Sequence, residues 1–320
     1  MNEASSKFVD NLAIDKLLND KLKKVNHYPK YSLFVPAEGL FKNQNNILSF
    51  AKVKYMKDSA AFRRIDLPSF ESSSFYSENN TVYLYNYPAK NAQCNILFVH
   101  GLFDDNLMNY SYLFKLLNDL NINVYFMTMP YHFERKPKES LFSGEYFLSG
   151  DIFRTQNAFK QAVLDIDASM QFIRSENLLP ILLVGFSMGG CVALRHFLLN
   201  NQEIPTFLIN PVTNFCDVLW DSPLFVTIGK DLLDSGYDMM KCKKFFVEID
   251  PSNFLDKSFK TEKIAMVYSN YDQVISENKY KKFISQTGIK NAYAYHSGHL
   301  NVLRVPKLAK DIKEFAEKVF

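Results

Sequence analysis

A serine between two glycines ends an apolar stretch of this chain. Residues 181–184 read Ile-Leu-Leu-Val, residues 185–189 read Gly-Phe-Ser-Met-Gly, and a helix-forming stretch follows over 191–199. A strand, a sharp turn and a helix in that order present the serine hydroxyl above a sheet as a nucleophile, at the positive end of the helix. The glycines allow the strand and the helix to approach closely. The alternative is a glycine-rich turn in which Ser187 has no chemical role.

A serine hydroxyl is a weak nucleophile near neutral pH and requires an adjacent base. The histidines of the chain are His27, His100, His132, His196, His296 and His299. We expect His299 to be the base, because it lies on the loop after the last predicted strand, 292–295. His296 is the alternative from the same loop. His196 lies within the helix after Ser187 and is expected to point away.

The base requires a carboxylate that holds its tautomer and stabilises its charged form. We expect Asp272 to be this acid, because it follows the predicted strand 264–268 at a strand-end turn. Asp217, which lies beyond the preceding strand, is the rival candidate. Asp272 could instead be the N-cap of the predicted helix 277–286.

Attack of a serine on a carbonyl creates an oxyanion, which two backbone N–H groups about 3 Å away must stabilise. One donor is expected from Met188, directly after the nucleophile. The other is expected from Leu102, which follows His100-Gly101 at the end of the predicted strand 94–99. His100 then has a structural role, in which it hydrogen-bonds to the loop that carries Leu102.

The loop after the predicted strand 124–129 is a candidate for the substrate pocket, because ligands bind at the carboxyl ends of strands in open α/β sheets. The candidates for contact with substrate are Tyr131, His132 and Arg135. The alternative is loop packing together with an ion pair from Arg135 to Glu134 or Glu145. The sequence leaves both interpretations open.

The composition argues against several function classes. Among 320 residues, 47% are hydrophobic and the net charge is only +3, so nothing indicates binding to nucleic acid. No apolar run approaches the roughly 18 residues that span a bilayer, and the N-terminus lacks the apolar core of a signal peptide. No Cys-x-x-Cys, nucleotide-binding or zinc motif occurs, so we expect no metal and no cofactor. Because the sequence shows no signal peptide, membrane span or disulfide framework, we expect a cytoplasmic location.

The pattern of apolar residues predicts two regions. Residues 1–60 form an N-terminal helical extension without a chemical motif, which we expect to pack on the remainder, with a lid as the alternative. A second helix is predicted over 45–56. Residues 61–320 form the main domain, with a helical cap inserted at about 212–260. Alternating residues over 70–76 and 82–85 predict a β-hairpin at the edge of the sheet.

These residues resemble the α/β-hydrolase superfamily over roughly residues 90–320. Ser187, Asp272 and His299 occur in the chain order of that superfamily. The segments 129–137 and 143–145 are similar to those of a poorly characterised branch, the abhydrolase domain-containing 18 type. The resemblance implies an α/β-hydrolase fold, with a mostly parallel central sheet flanked by helices, and a Ser-His-Asp catalytic triad, but no particular substrate.

The first functional hypothesis is therefore a serine hydrolase that acts on a small-molecule carboxylic ester through an acyl-enzyme. Phenylalanine and leucine in the predicted cap favour an apolar acyl or alcohol group. A peptidase or thioesterase with the same three residues is the second hypothesis. The third is a non-catalytic binding protein, since a fold does not by itself imply a function.

Overall fold

The computed structural model describes residues 2–24, 41, 46–56, 62–72, 75–256 and 258–320. Helix α1 (Glu3–Lys16) opens the chain and continues as a π-helical turn over Leu17–Lys21 and a 3₁₀ turn over Leu22–Lys24. The prediction of a helix over 45–56 is wrong, because Phe50–Lys52 form one 3₁₀ turn and Lys54–Tyr55 form a strand. Residues 25–40, 42–45 and 57–60 of the predicted extension, which include His27, lie outside the described residues.

The described residues form one sheet of nine strands. Their bounds are β1 (Lys54–Tyr55), β2 (Arg63–Pro68), β3 (Thr81–Tyr87), β4 (Cys94–Val99), β5 (Ile122–Met127), β6 (Ile181–Phe186), β7 (Thr206–Ile209), β8 (Ile264–Ser269) and β9 (Asn291–Tyr295). The spatial order is β1-β2-β3-β5-β4-β6-β7-β8-β9. Strands β5, β4, β6, β7, β8 and β9 run parallel, and β1 to β3 add an antiparallel edge. The mostly parallel sheet was predicted.

The antiparallel edge contains a hairpin, as predicted, but its first strand is not 70–76. That strand is β2, which pairs with β3 through Ile65 opposite Leu84. Ile65 and Leu67 are buried, while Arg64 and Asp66 form an ion pair on the other face. The alternation that marks the strand therefore lies before Pro68, and the residues after it belong to the connection between the two strands.

Helices cover both faces of the sheet. Their bounds are α2 (Ser111–Asp119), α3 (Ile152–Glu176), α4 (Met188–Leu199), α5 (Phe215–Asp221), α6 (Val226–Asp234), α7 (Met239–Phe245), α8 (Glu277–Thr287) and α9 (Pro306–Val319). Along β4, Leu97 and Val99 belong to the core shared with α3 and α4, whereas Ile96 and Phe98 belong to the core shared with α2 and α9. A strand buried on both faces reads as a continuous apolar run, which is why the parallel strands were recognisable.

Helices α5 to α7 lie between β7 and β8, within the segment predicted as a helical insertion. The structure adds α5 to the two helices expected near 231–237 and 237–246, and places those two over Val226–Asp234 and Met239–Phe245. None of the helices in the described part of the chain has the length and apolarity that crossing a bilayer requires.

The turn after β6 depends on close packing between α4 and the strands. A Cβ added to Gly189 would overlap the backbone carbonyl oxygens of Val99 and His100, and one added to Gly190 would lie 2.8 Å from the Cβ of Pro211. A Cβ at Gly185 would lie 2.5 Å from the carbonyl oxygen of Gly189. The glycines are therefore required because the first turn of α4 lies directly against the ends of β4 and β6.

Replacing Gly189 by alanine tests this packing. The atoms that the new methyl group would meet are backbone oxygens, which cannot rotate away, so α4 must shift. We expect Gly189→Ala to lower the free energy of unfolding by about 1–3 kcal/mol, measured by urea denaturation.

Gly229→Ala is the matched control, because a Cβ there would meet only Trp220, at 3.6 Å. Gly229 lies within α6, where alanine favours the helix by about 0.8–1.0 kcal/mol. Equal effects of the two substitutions would contradict the packing argument.

Candidate active site

The serine of the predicted elbow lies between β6 and α4 in a strained backbone conformation. Its φ is 53° and its ψ is −116°, values that residues with a side chain rarely adopt. The Ser187 N–H donates to the carbonyl oxygen of Ile209 at 2.9 Å, and the Ser187 carbonyl accepts from the N–H groups of Cys191 and Val212. These bonds hold the turn, so the hydroxyl stands at the carboxyl end of the sheet beside the N-terminus of α4.

The serine hydroxyl meets the side chain of His299. The Nε2 atom of His299 lies 2.8 Å from the Oγ atom of Ser187, and the Nδ1 atom lies 2.7 Å from Oδ2 of Asp272. Since a carboxylate only accepts hydrogen bonds, Nδ1 carries the proton in neutral His299 and Nε2 accepts from the serine. The geometry allows transfer of the Oγ proton to the imidazole, with the new positive charge adjacent to the carboxylate.

Asp272 is held by donors other than the histidine. Its Oδ1 atom accepts from the N–H groups of Val274 and Ile275, both at 2.8 Å, and its Oδ2 atom accepts from the Tyr280 hydroxyl at 2.9 Å. Asp272 therefore caps the turn before α8 rather than the helix itself, whose N-cap residue is Ser276. The rival acid, Asp217, forms an ion pair with Lys243 at 2.8 Å.

The pKa of His299 is raised above its ordinary value of 6.5 by its neighbours. Burial is the largest single effect and would lower the pKa, but the negative charge and hydrogen bond of Asp272, together with the charges of two further carboxyl groups, outweigh it. Asp10 and Asp104 add smaller contributions in the same direction. The His299 ring therefore has carboxyl groups around it that favour its charged form.

The other described histidines next to the sheet do not approach Ser187. His296 is exposed, and its Nδ1 atom lies 3.2 Å from the Tyr271 hydroxyl. His196 is buried on α4 and its Nε2 atom lies 2.8 Å from Asp167, so it points away from the serine, as predicted.

His100 has the structural contacts predicted for it. Its Nε2 atom accepts from the Met129 N–H at 3.0 Å, so its Nδ1 atom carries the proton and donates to the Gly101 carbonyl at 2.7 Å. Burial holds the pKa of His100 well below its usual value, which keeps the ring neutral. His100 thereby ties the segment that leads to Leu102 to the end of β5.

A carboxyl group fixes the same segment from the other side. Asp104 accepts a hydrogen bond from the Gly101 N–H at 3.0 Å and another from the Tyr110 hydroxyl. Burial raises the pKa of Asp104 to about 7. Leu102 and Met188 line the same small cavity as Ser187 and His299, where the sequence predicted their N–H groups to act.

The residues predicted at the pocket mouth are buried in the loop after β5. The exposed fractions are 2% for Tyr131 and 0% for His132 and Arg135. His132 accepts from the Phe103 N–H at 3.2 Å, and burial lowers the pKa of His132 to about 3. The contacts of these side chains are those of loop packing, the second of the two interpretations.

Arg135 pairs with neither Glu134 nor Glu145, so the ion pair named in that interpretation is wrong. Its Nη1 atom lies 2.7 Å from Oδ2 of Asp165 on α3, and both side chains are fully buried. Its guanidinium also donates to the carbonyl oxygens of Thr128 and Asn79. The sequence placed the arginine in the correct loop, but its partner lies on an element whose packing the sequence does not reveal.

No sequence pattern indicated a role for Asp10, although it contacts the loop of the histidine. Its Oδ2 atom accepts from the His299 N–H at 2.6 Å and from the Gln273 N–H at 3.2 Å. Ser6, Asp10 and Ile14 form the buried stripe of α1, whereas Leu12 is 56% exposed. The spacing of Ser6 and Asp10 by four residues could have indicated this buried face of the helix. The more numerous leucines of the region obscured that pattern.

A cavity of about 60 Å³ adjoins the serine hydroxyl. Most side chains that line it are apolar, and they come from α1, from the Gly101 loop and from the segment after β7. A larger cavity, of about 670 Å³, lies next to it, and Val274 lines both cavities. The residues that line the larger cavity include Asp272 and Lys279 but neither Ser187 nor His299.

Replacing Arg135 by alanine tests the buried ion pair. The substitution leaves the Asp165 carboxylate buried without its cation, so we expect the free energy of unfolding to fall by about 3–5 kcal/mol in urea denaturation. Lys115→Ala is the control, since the Lys115–Asp119 pair is exposed on α2 and should contribute about 0.3–0.5 kcal/mol. A loss below about 1 kcal/mol for Arg135→Ala would contradict this assignment.

Comparison with known proteins identifies the fold. No family model matches the chain, and no curated protein matches its sequence. The chain is similar to a lipase solved in an open form, with a TM-score of 0.56 and 12% identity, over 81% of this chain and 99% of the lipase.

Two esterases give comparable matches. Est1E from Butyrivibrio proteoclasticus, solved with ferulic acid bound, matches with a TM-score of 0.54 and 14% identity, over 74% of this chain and 95% of its own. Esterase Pf2001 from Pyrococcus furiosus matches with a TM-score of 0.52 and 17% identity, over 80% of this chain and 90% of its own. At these identities the likeness concerns the fold alone. The chain has the α/β-hydrolase fold that its motifs implied.

Proposed function

We propose that this protein is a serine hydrolase of carboxylic esters, with Ser187 as nucleophile, His299 as base and Asp272 as the acid that orients it. The observation that carries the proposal is the pair of hydrogen bonds, of 2.8 and 2.7 Å, that link the three side chains. The fold shared with lipases and esterases adds support.

The reaction begins when Ser187 Oγ attacks the ester carbonyl carbon and His299 Nε2 takes the hydroxyl proton. The tetrahedral intermediate then collapses, and the alcohol leaves with the proton that His299 returns to it. Water attacks the resulting acyl-enzyme while His299 again accepts a proton, and the carboxylic acid departs. Ser187 regains its proton from His299, and no cofactor enters any step.

The backbone N–H groups of Leu102 and Met188 stabilise the oxyanion in this proposal. Both residues line the cavity beside Ser187, and Met188 is the first residue of α4, where N–H groups have no partner within the helix. Loss of one such donor typically lowers the rate by about 10²–10³. His100 and Asp104 hold the Leu102 segment from two sides, which favours a donor that is in position before substrate binds.

The cavity beside Ser187 supports an apolar, small-molecule ester as substrate. Leu224 and Phe225 line it and belong to the segment 212–260, which we propose as a cap on a main domain spanning 61–320.

Membership of the abhydrolase domain-containing 18 type branch remains a prediction from the loop motifs. The cytoplasmic location also remains a prediction, with four buried, unpaired cysteines as support.

Labelling with a fluorophosphonate probe tests the nucleophile. Wild-type protein should be labelled, and mass spectrometry of its peptides should place the adduct on Ser187. Ser187→Ala should abolish labelling and lower kcat for p-nitrophenyl acetate by on the order of 10⁴–10⁶, with circular dichroism unchanged. Folded wild-type protein that takes no label and hydrolyses no ester would overturn the proposal.

Separate substitution of two histidines on one loop tests the base. His299→Ala should lower kcat by on the order of 10⁴ or more, because the serine loses its proton acceptor. His296→Ala is the matched control and should retain activity, since this exposed side chain contacts Tyr271 instead. The reverse outcome would show that His296 is the base.

A substrate panel distinguishes the ester hydrolase from the alternatives. It comprises p-nitrophenyl esters of increasing acyl length, acyl-CoA thioesters and aminoacyl amides. We expect the highest kcat/KM for an ester. Hydrolysis of thioesters or amides alone would instead identify a thioesterase or peptidase with the same nucleophile.

A further inference from the structure

We propose that α1 is a fixed wall of the catalytic site, in which Asp10 positions the loop of His299 and the side chains of Ala13, Ile14 and Leu17 restrict the acyl group to a short chain. This inference rests on the proposed ester hydrolysis. It gives a specific role to a helix that the sequence suggested as packing, with a lid as the alternative.

The first support is the set of hydrogen bonds that Asp10 accepts. Its Oδ2 atom accepts from His299 N–H at 2.6 Å and Gln273 N–H at 3.2 Å, and its Oδ1 atom accepts from Leu300 N–H at 3.1 Å. These donors lie on the two loops that follow β8 and β9, which carry Asp272 and His299. One buried carboxyl group therefore joins the acid loop to the base loop.

The second support is the close seating of α1 on the histidine loop. A Cβ added to Gly298 would lie 2.7 Å from Oδ2 of Asp10 and 2.8 Å from the carbonyl oxygen of Ser6. The amide of Asn301 donates to Oγ of Ser6 at 3.2 Å. Removing α1 from this surface would leave three backbone N–H groups and a buried carboxyl group without their partners. The helix is therefore a permanent part of the site rather than a lid that opens.

The third support is electrostatic. The carboxyl groups that surround His299 are Asp272 on the loop after β8, Asp10 on α1 and Asp104 on the loop after β4. When ionised, each favours the charged imidazole, the form that the base adopts after it takes the serine proton. Asp10 influences His299 through a hydrogen bond to the His299 N–H and through its charge, and it does not contact the reacting atoms. It is therefore a positioning residue.

The fourth support is the size and lining of the cavity beside Ser187. Ala13, Ile14 and Leu17 line one side, and Val212, Leu224 and Phe225 line it as well from the segment after β7. Its volume of about 60 Å³ corresponds to about two water molecules, at roughly 30 Å³ for each, and drug-sized pockets begin near 300 Å³. The acyl carbon bonds directly to Ser187 Oγ, so the acyl chain must occupy this cavity. An acyl group of about two to four carbons fits the space.

Acyl-chain profiles of two opposite substitutions test the wall. The substrates are p-nitrophenyl acetate, butyrate, hexanoate and octanoate, and wild-type protein should prefer acetate or butyrate. Ile14→Ala enlarges the cavity, so kcat/KM for hexanoate relative to acetate should rise by about tenfold or more. Ile14→Phe fills it, so kcat/KM for butyrate relative to acetate should fall by about tenfold.

Leu12→Ala is the matched control on the same helix, because Leu12 is 56% exposed and does not line the cavity. It should keep the wild-type profile. A preference of wild-type protein for octanoate, or identical profiles for both Ile14 variants, would overturn the proposed wall. Thermal unfolding of each variant checks that α1 stays docked.

The pH profile of kcat/KM tests Asp10. His299 must be neutral to accept the serine proton, so activity is lost as pH falls through its raised pKa. Asp10→Asn removes one neighbouring carboxylate, so the acid limb should move to lower pH. The misplaced loop should lower kcat by about 10²-fold at the plateau, with a smaller change in KM.

Asp15→Asn is the charge-matched control, since Asp15 is exposed on the same helix. It should leave both the acid limb and kcat unchanged. An Asp10→Asn profile that coincides with wild type would overturn the positioning role while leaving the proposed hydrolase intact. Wild-type protein without fluorophosphonate labelling or ester hydrolysis would instead remove the proposed function itself.

Discussion

The strained turn at Ser187 is the constraint on which the candidate site depends. A positive φ at a residue with a side chain costs on the order of 1–3 kcal/mol, and the surrounding structure must supply that energy. The serine N–H bonds to β7, while the three elbow glycines let α4 lie against β4 and β6. The same packing places the first turn of α4 beside the segment of Leu102. One local geometry thus positions both the hydroxyl and the N–H groups near it.

Buried carboxyl groups provide the second level of organisation. Asp272, Asp10 and Asp104 all lie near His299, and each accepts hydrogen bonds from backbone N–H groups of a different loop or pair of loops. Burying a carboxyl group costs free energy unless the group is hydrogen-bonded. Each one therefore fixes the backbone segment whose N–H groups donate to it. The electrostatic environment of the imidazole and the rigidity of its loops therefore have the same physical origin.

Local patterns explain how much of this arrangement could be predicted. The parallel strands appear as short apolar runs, and the residues after them lie at one edge because parallel strands end together. That rule was sufficient to predict that Ser187, Asp272 and His299 lie close together in the fold. The first strand of the hairpin was misplaced, since the alternation of 70–76 resembled the true alternation of Ile65 and Leu67.

Contacts between distant segments were beyond the sequence. The ion pair considered for Arg135 was with a nearby glutamate, because a single sequence contains no signal that α3 would present Asp165 to it. Asp10 and the His299 N–H are separated by 289 positions, and a lone aspartate on a helix usually faces solvent. Such pairs depend on how elements dock, which periodicity does not encode.

The docking of α1 also changes how the N-terminal region should be viewed. A boundary near residue 60 follows from the change in sequence pattern, yet Ile14 and Leu22 belong to the same hydrophobic core as the sheet. Gly298 lacks a side chain where α1 lies against the histidine loop, since a Cβ there would lie 2.7 Å from Oδ2 of Asp10. A helix that fills a cavity wall, accepts three backbone hydrogen bonds and shares the core is structurally part of the unit that contains the site. The start of the chain and the loop near its end therefore form one surface around Ser187.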